Sequence, residues 1–208
     1  DFIDVAEGLA ERGYGEKGKI AIRGGSAGGM LVGAAVNMRP DLFNCVLAIV
    51  PFVDCVSTMS DPSLPLTPPE WNEWGNPIEN KDVFEYMMQY SPYDNIDPDS
   101  TYPAIWAEAG LTDPRVTYWE AAKWVARLRS EAQGGPFYLK TEMGAGHGGA
   151  SGRYTRTRDV AREIAFMVDQ FEKSGYDMSV RVERKTVTPD KDMASDKAAE
   201  PENESAPS

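Results

Sequence analysis

Residues 20–36 read IAIRGGSAGGMLVGAAV, and this stretch decides the fold. A short apolar strand pattern leads into Gly24-Gly25-Ser26-Ala27-Gly28, and an apolar helical pattern starts at Met30. A G-x-S-x-G sequence between a strand and a helix is typical of a nucleophile elbow, where a serine lies on a sharp, strained turn. Its neighbours must lack side chains, because their Cβ atoms would clash. The stretch predicts Ser26 as a nucleophile and the Ala27 N–H, at the start of the helix, as an oxyanion donor.

The chain has one histidine, His147, within the glycine-rich sequence GAGHGG at residues 144–149. This loop follows an apolar strand pattern at 137–139 and precedes a long helical pattern. A loop of this composition can hold an imidazole over a neighbouring strand end without packing the ring into the core. Because Ser26 needs a base, we predict that His147 has a catalytic role.

The carboxylate that orients this base is harder to choose, because the chain has 33 Asp and Glu residues. In α/β hydrolases the order is Ser, then Asp or Glu, then His, each at the carboxyl end of a strand. Asp113 satisfies this order, since it follows the strand pattern at 104–109. Asp54 follows the strand pattern at 46–50 and is the main alternative. We predict Asp113 as the acid and keep Asp54 as its rival.

Strand and helix patterns alternate along the chain, which is typical of an α/β protein with a parallel sheet. The predicted strands are 19–24, 45–50, 103–109 and 136–142, and the predicted helices are 1–13, 27–38, 81–90, 115–130 and 153–173. A complete α/β-hydrolase sheet would have several strands before the one that leads to Ser26. We therefore expect residues 1–175 to be the carboxyl-terminal part of an α/β-hydrolase domain, with the upstream strands missing from this sequence.

Composition restricts the partners and the compartment. The net charge of −12 argues against nucleic acid and membrane surfaces as partners. Cys45 and Cys55 are expected to be free thiols, which favours a reducing, cytoplasmic location. One histidine and two cysteines form no zinc cluster, and we expect neither a metal nor a cofactor. Residues 176–208 are predicted to be a disordered acidic tail, although the alternation at 178–183 is also compatible with a short strand.

Five separate motifs resemble the prolyl oligopeptidase family, and within it most closely the oligopeptidase B branch. They are RGGSAGGML at 23–31, VPFVD at 50–54, EWGNP at 73–77, YSPYDN at 90–95 and GHGG at 146–149. The resemblance extends from residue 1 to about residue 172. It implies a serine peptidase whose α/β-hydrolase domain is capped by a β-propeller that admits only short peptides. That propeller is absent from this sequence.

The resemblance also assigns roles to the residues of the reaction. It implies a triad of Ser26, Asp113 and His147, which agrees with the choice made from the residues. A tyrosine hydroxyl from a segment upstream of this sequence would supply the second oxyanion donor. We therefore expect the missing upstream half of the same chain to complete the site.

The segment at 61–77 is expected to be a loop near Ser26 that determines substrate preference. Cleavage after Arg or Lys needs a carboxylate in the pocket, because a buried guanidinium without a partner is costly. The segment offers two carboxylates, Glu70 and Glu73. The resemblance implies that Glu70 binds the basic side chain on the amino side of the scissile bond, the P1 residue.

Two further substrate contacts are implied by the resemblance. Phe52 would form an apolar or cation–π wall of the P1 pocket. Arg115 would hold a carbonyl of the substrate. Some family members have a second acid where this chain has Asn72, a departure that bears on the strength of the basic preference.

Together these residues predict an oligopeptidase that cuts short peptides after Arg or Lys through an acyl-enzyme on Ser26. One alternative is another α/β hydrolase, such as a prolyl- or dipeptidyl-type peptidase or an esterase. A second alternative is an inactive truncated fragment that keeps the triad residues without the activity.

Overall fold

The structure is a computed structural model that describes residues 1–149 and 152–176. Helices and strands alternate along it, as the sequence predicts. The helices are α1 (Phe2–Glu11), α2 (Ala27–Met38), α3 (Cys55–Met59), α4 (Thr67–Trp74), α5 (Lys81–Met88), α6 (Tyr118–Glu131) and α7 (Arg153–Lys173). The strands are β1 (Ile20–Gly25), β2 (Phe43–Ile49), β3 (Thr101–Tyr102), β4 (Ala104–Gly110), β5 (Gln133–Gly134) and β6 (Phe137–Glu142). Beyond Tyr176, the predicted acidic tail and the alternating segment 178–183 lie outside the described residues.

The central sheet has four parallel strands in the order β1-β2-β4-β6, which confirms the predicted α/β class. One face packs against α2 and α6, where Val36, Val46, Ile105 and Trp124 are fully buried. Phe166 of α7 packs on the opposite face against alternate residues of β2 and β4. Coverage on both faces explains why the sequence of β2, FNCVLAI, is apolar almost throughout.

The carboxyl ends of the four strands meet at one edge, because all neighbouring strands are parallel. The residues that follow them there are Ser26 after β1, Asp54 after β2, Asp113 after β4 and His147 after β6. Loops at this edge are where sheets of this kind bind their ligands. The fold therefore brings every candidate for the triad to the same edge of the molecule.

The expectation of a loop over 61–77 is wrong, because α4 occupies Thr67–Trp74. Pro68 and Pro69 lie in its first turn, where the missing N–H of proline costs no helical hydrogen bond. Gly75 ends the helix with a φ of 91°, and a Cβ there would lie 2.6 Å from a methyl carbon of Val83. The prolines and glycine that suggested a loop are the start and the end of a helix.

The structure also differs from the predicted elements in smaller ways. Sequence patterns missed α3 and the two-residue strands β3 and β5, which pair only with each other. The sixth helix begins at Tyr118 rather than at residue 115. Before it the chain makes a turn in which the Asp113 carboxylate accepts the N–H groups of Arg115 and Val116.

Candidate active site

Ser26 lies at the turn between β1 and α2 in a strained backbone conformation. Its φ is 56° and its ψ is −122°, values that a residue with a side chain rarely adopts. The turn is held from the sheet side, since the Ser26 N–H donates to the carbonyl of Ile49 at 3.0 Å. The Ser26 carbonyl in turn accepts the N–H of Phe52 at 3.1 Å. These contacts fix Ser26 against the end of β2.

Two glycines make this turn sterically allowed. A Cβ on Gly24 would lie 2.0 Å from the carbonyl oxygen of Gly28, and a Cβ on Gly29 would lie 2.5 Å from the Cβ of Pro51. Both distances are too short for any side chain, whereas Gly28 has open space around it. The demand for small residues around Ser26, predicted from the sequence, thus falls on Gly24 and Gly29.

Asp113 and His147 form the polar pair of the site. Asp113 Oδ2 lies 2.8 Å from His147 Nδ1, and Asp113 Oδ1 accepts the N–H groups of Arg115 at 2.8 Å and Val116 at 3.1 Å. The Asp113 side chain is fully buried and that of His147 is 21% exposed. A buried carboxylate at Nδ1 favours the tautomer with its proton there, which leaves Nε2 free to accept another.

The loop that carries His147 packs directly on the end of β4. The N–H of Thr112 donates to the carbonyl of Ala145 at 3.2 Å. A Cβ on Gly110 would lie 2.6 Å from that carbonyl oxygen and 2.7 Å from the one of Gly146. Only a glycine at this strand end lets the histidine loop approach closely enough for Asp113 to reach the imidazole.

Asp54, the rival acid, has different partners. Its carboxylate is buried and forms an ion pair with Lys123 of α6 through Oδ2, while Oδ1 has no hydrogen-bond partner. Its N–H donates to Glu120 at 3.0 Å. Asp54 therefore belongs to a buried charged cluster at the start of α3, and the imidazole is paired with Asp113 instead.

Ser26 and His147 are not hydrogen-bonded to each other in the described residues. Ser26 and Ala27 line a cavity of about 180 Å³, whereas His147 lines a neighbouring cavity of about 330 Å³. Hydrogen bonds between catalytic groups are often long in enzymes without substrate and shorten in the complex. The structure thus pairs Asp113 with His147 and places Ser26 at the same sheet edge.

The cavity beside Ser26 contains the predicted specificity residues. Phe52, Glu70 and Arg115 all line it, and so do Glu73 and Trp74. Glu70 is half-buried and accepts the indole N–H of Trp74 at 3.1 Å. The rings of Phe52 and Trp74 pack with centroids 5.2 Å apart. A carboxylate next to two aromatic faces is suited to a cation on an aliphatic stem.

The cavity beside His147 is surrounded by ion pairs. Arg23 of β1 binds Glu163 of α7 through two N–H groups, at 2.6 and 3.2 Å. Lys140 of β6 lies 2.7 Å from Glu142 and 2.9 Å from Asp159. The Arg23–Glu163 and Lys140–Asp159 pairs attach α7 to the sheet, whereas Glu142 belongs to the same strand as Lys140. Within residues 1–149 and 152–176, no group of three or more His, Cys, Asp or Glu residues is arranged for a metal.

Two further observations concern the cysteines and membrane-crossing helices. Cys45 and Cys55 are both free and buried, as predicted. Burial raises the pKa of the Cys45 thiol to about 12, so this group is a poor nucleophile. Of the helices within the described part of the chain, none combines the length and the apolar character that a membrane crossing requires.

The sequence profile of the prolyl oligopeptidase family matches residues 1–174. This chain belongs to the prolyl oligopeptidase family. Dipeptidyl aminopeptidase BI of Pseudoxanthomonas mexicana is 52% identical over 171 residues, which are 82% of this chain and 23% of that protein. Protease 2 of Moraxella lacunata is 49% identical over 171 residues, which are 82% of this chain and 24% of that protein.

Solved structures of the same family have the same fold. Oligopeptidase B from Leishmania major matches with a TM-score of 0.78 and 43% identity, over 87% of this chain and 24% of that one. Oligopeptidase B from Trypanosoma brucei, in a closed form with covalently bound antipain, matches with a TM-score of 0.79 and 47% identity, over 82% of this chain and 24% of that one. The predicted family and α/β-hydrolase fold are confirmed, and the chain spans about a quarter of the length of these relatives.

Two residues of this prolyl oligopeptidase family site escaped the sequence analysis. Trp74 contacts both Phe52 and Glu70, and the spacing of four between Glu70 and Trp74 is a helical signal hidden by the expected loop. Glu120 is fully buried and bonded to the segment after Phe52. No sequence signal distinguishes this glutamate from Glu131, the exposed glutamate of the same helix.

Proposed function

We propose that this chain carries the catalytic residues of a serine endopeptidase that hydrolyses short peptides after Arg or Lys. The observation that carries the proposal is the 2.8 Å contact between Asp113 and His147, at the sheet edge where Ser26 occupies a strained elbow. An oriented base at the same sheet edge as a half-buried, strained serine is consistent with the arrangement by which acyl transfer is catalysed on several unrelated folds.

The reaction follows from these positions. Ser26 Oγ attacks the carbonyl carbon of the scissile bond while His147 Nε2 takes its proton, and Asp113 stabilises the resulting imidazolium. The oxyanion accepts a hydrogen bond from the Ala27 N–H at the start of α2. His147 then gives its proton to the leaving amine, which leaves an acyl-enzyme on Ser26, and water repeats the cycle. The antipain bound covalently in the related oligopeptidase B of Trypanosoma brucei supports a covalent step.

Preference for a basic P1 side chain is the finer part of the proposal. Glu70 supports it, because its half-buried carboxylate lines the cavity beside Ser26. An incoming guanidinium or ammonium group would pair with this carboxylate while its methylene stem packs on Phe52. Arg115, exposed at the same cavity, is available to donate to a substrate carbonyl.

The deciding experiment labels the full-length protein with a fluorophosphonate probe and measures hydrolysis of fluorogenic peptides with Arg, Lys, Pro or Ala at P1. We expect labelling at Ser26 and fastest turnover with Arg and Lys. Ser26→Ala should abolish labelling and lower kcat by roughly 10⁴–10⁶, the usual loss for a member of a triad. Ser130→Ala, at an exposed serine on α6, is the control and should retain wild-type kcat.

Absence of labelling in a folded wild-type protein would favour the inactive fragment. Fastest turnover with Pro or Ala at P1 would overturn the proposed preference for basic residues, but the proposal of a serine peptidase would stand. Dipeptidyl-peptidase activity is a second candidate, favoured by the 52% identity with dipeptidyl aminopeptidase BI. Such an enzyme needs a free amino terminus two residues before the cut, so acetylated and free peptides of one sequence separate the two activities.

A further inference from the structure

Glu120 is a buried carboxylate that the proposed reaction does not use. It lies in the first turn of α6 and is 0% exposed. Its Oε2 accepts the N–H groups of Val53 at 2.9 Å and Asp54 at 3.0 Å, and its Oε1 accepts the hydroxyl of Thr58 at 2.7 Å. All three donors belong to residues 53–58, so this carboxylate binds one short segment of another part of the chain.

That segment contributes to the wall of the cavity beside Ser26, because its last residue, Thr58, lines the cavity. It begins directly after Phe52, whose own N–H donates to the Ser26 carbonyl at 3.1 Å. The peptide groups before and after Phe52 are therefore held by different elements. The one before it donates to the elbow, and the one after it donates to Glu120. Displacement of residues 53–58 would move the Phe52 ring relative to the nucleophile.

The same segment supports the helix that carries Glu70. Thr58 is bonded to Glu120 through its hydroxyl, and its carbonyl accepts the hydroxyl of Thr67 at 2.8 Å. The carbonyl of Met59, the next residue, accepts the indole N–H of Trp71 at 3.0 Å. A continuous series of hydrogen bonds thus leads from Glu120 through α3 to α4.

We propose that Glu120 is a positioning residue for substrate specificity, which holds Phe52 and the helix with Glu70 at their distance from Ser26. The inference rests on the proposed function. A buried carboxylate is costly unless donors surround it, so the folded state is stable only with residues 53–58 in the position where all three reach Glu120. Ser26, Asp113 and His147 have no contact with Glu120 among these bonds, so its loss should affect substrate recognition more than chemistry.

The test compares Glu120→Gln with wild type in the full-length protein, using peptides with Arg or Ala at P1. Gln keeps the volume of the side chain but replaces one acceptor oxygen by a donor, which meets another donor. We expect KM for the P1-Arg peptide to rise about tenfold, kcat to stay within about threefold and the P1-Ala peptide to change little. Glu131→Gln, at an exposed carboxylate on the same helix, is the matched control and should behave as wild type.

A second pair of variants covers the case in which Glu120→Gln does not fold. Thr58→Val removes one of the three donors without changing the shape of the side chain, and Thr58→Ser keeps the hydroxyl. The valine variant should show the same selective rise in KM for P1-Arg, to a smaller extent, and the serine variant should recover wild-type selectivity.

Fluorophosphonate labelling separates failure of this inference from failure of the proposed function. If wild type is labelled at Ser26 and prefers Arg, but Glu120→Gln and Thr58→Val keep the full preference, Glu120 has no positioning role. Equal losses in kcat on both peptides would also overturn the inference, since they indicate a general structural role. A wild type that is folded but unlabelled contradicts the proposed function, and the inference is rejected with it.

Discussion

Asp54 and Asp113 occupy equivalent places in the topology but have opposite environments. Each follows a central parallel strand and each is buried at the carboxyl edge of the sheet. Asp113 meets the imidazole of His147, whereas Asp54 meets the ammonium group of Lys123. A position after a strand therefore brings a carboxylate to the catalytic edge, and the turn that follows decides which partner it reaches.

The turn after β4 explains the difference. Gly110 lets the histidine loop approach, and the amides of Arg115 and Val116 hold one oxygen of Asp113 so that the other faces His147. After β2 the chain enters α3 instead, and Asp54 lies next to Glu120 and Lys123 of α6. One region pairs a carboxylate with the imidazole, whereas the other pairs a carboxylate with an ammonium group and bonds to Glu120.

The strongest test of this comparison replaces each aspartate by asparagine. Asp113→Asn should lower kcat by about 10⁴, because an amide at this position favours the wrong tautomer of the imidazole. Asp54→Asn should lower kcat less than tenfold, since its partner is Lys123. Steady-state kinetics of the two variants on one P1-Arg peptide measure both effects.

Thermal unfolding of both variants serves as the control, because Asp54 is buried and its loss leaves Lys123 without a partner. A lower melting temperature with nearly intact kcat is expected for Asp54→Asn. For Asp113→Asn we expect a large loss of kcat with a smaller change in melting temperature. If the kinetic effects were exchanged between the two variants, the choice of acid would be wrong.

A smaller effect on kinetics is expected for Glu70, which lies on α4. This helix is bonded to Thr58 and Met59, in the segment that follows Asp54. Glu70→Gln should lower kcat/KM for P1-Arg peptides by roughly 30-fold or more, because the substrate cation loses its charged partner in a partly buried pocket. Gln can still accept the indole N–H of Trp74, so the pocket keeps its shape. Peptides with a neutral P1 residue should change little, and the kcat/KM ratio of the two peptide types is the measurement.

Glu73→Gln is the matched variant on the same helix. Glu73 also lines the cavity but is exposed, so solvent screens its charge and we expect only a small loss on P1-Arg peptides. Equal losses on basic and neutral peptides at Glu70 would mean that it supports the helix. A large loss at Glu73 alone would move the specificity carboxylate one helical turn along.

The sequence predicts which strands the candidate triad residues follow better than it predicts the elements that form the cavity beside Ser26. Ser26, Asp113 and His147 follow strands that local patterns identify, and parallel topology then brings them to one edge. The helix with Glu70 was expected to be a loop, because Pro68 and Pro69 mark either a loop or a helix start until tertiary contacts decide. Glu120 was missed because its role depends on donors more than sixty residues away along the chain.

The last prediction concerns the charge of Glu120, which is bonded to the segment that contains Asp54. The pKa of Glu120 is raised to about 7, mainly by burial and to a smaller extent by the charge of Asp54, and the bonds from the Asp54 N–H, Thr58 and Val53 oppose this rise. Lys123, Cys55, Tyr93 and Asp94 are further titratable groups near this cluster. A carboxyl whose pKa is higher in the folded state binds its proton more tightly there. Its contribution to stability therefore falls as the pH rises from the unfolded pKa towards about 7.

Urea unfolding of wild type and Glu120→Gln at several pH values measures this contribution. The variant does not titrate at this position, so the stability advantage of wild type should shrink by about 2 kcal/mol between about pH 5 and about pH 7.5. Glu131→Gln, at an exposed carboxylate on the same helix, leaves Glu120 in place and should keep the wild-type slope over this range. A constant difference between wild type and Glu120→Gln would show that Glu120 stays ionised throughout, with its three donors outweighing the cost of burial. The bonds between Glu120 and residues 53–58 would then not depend on pH near neutrality.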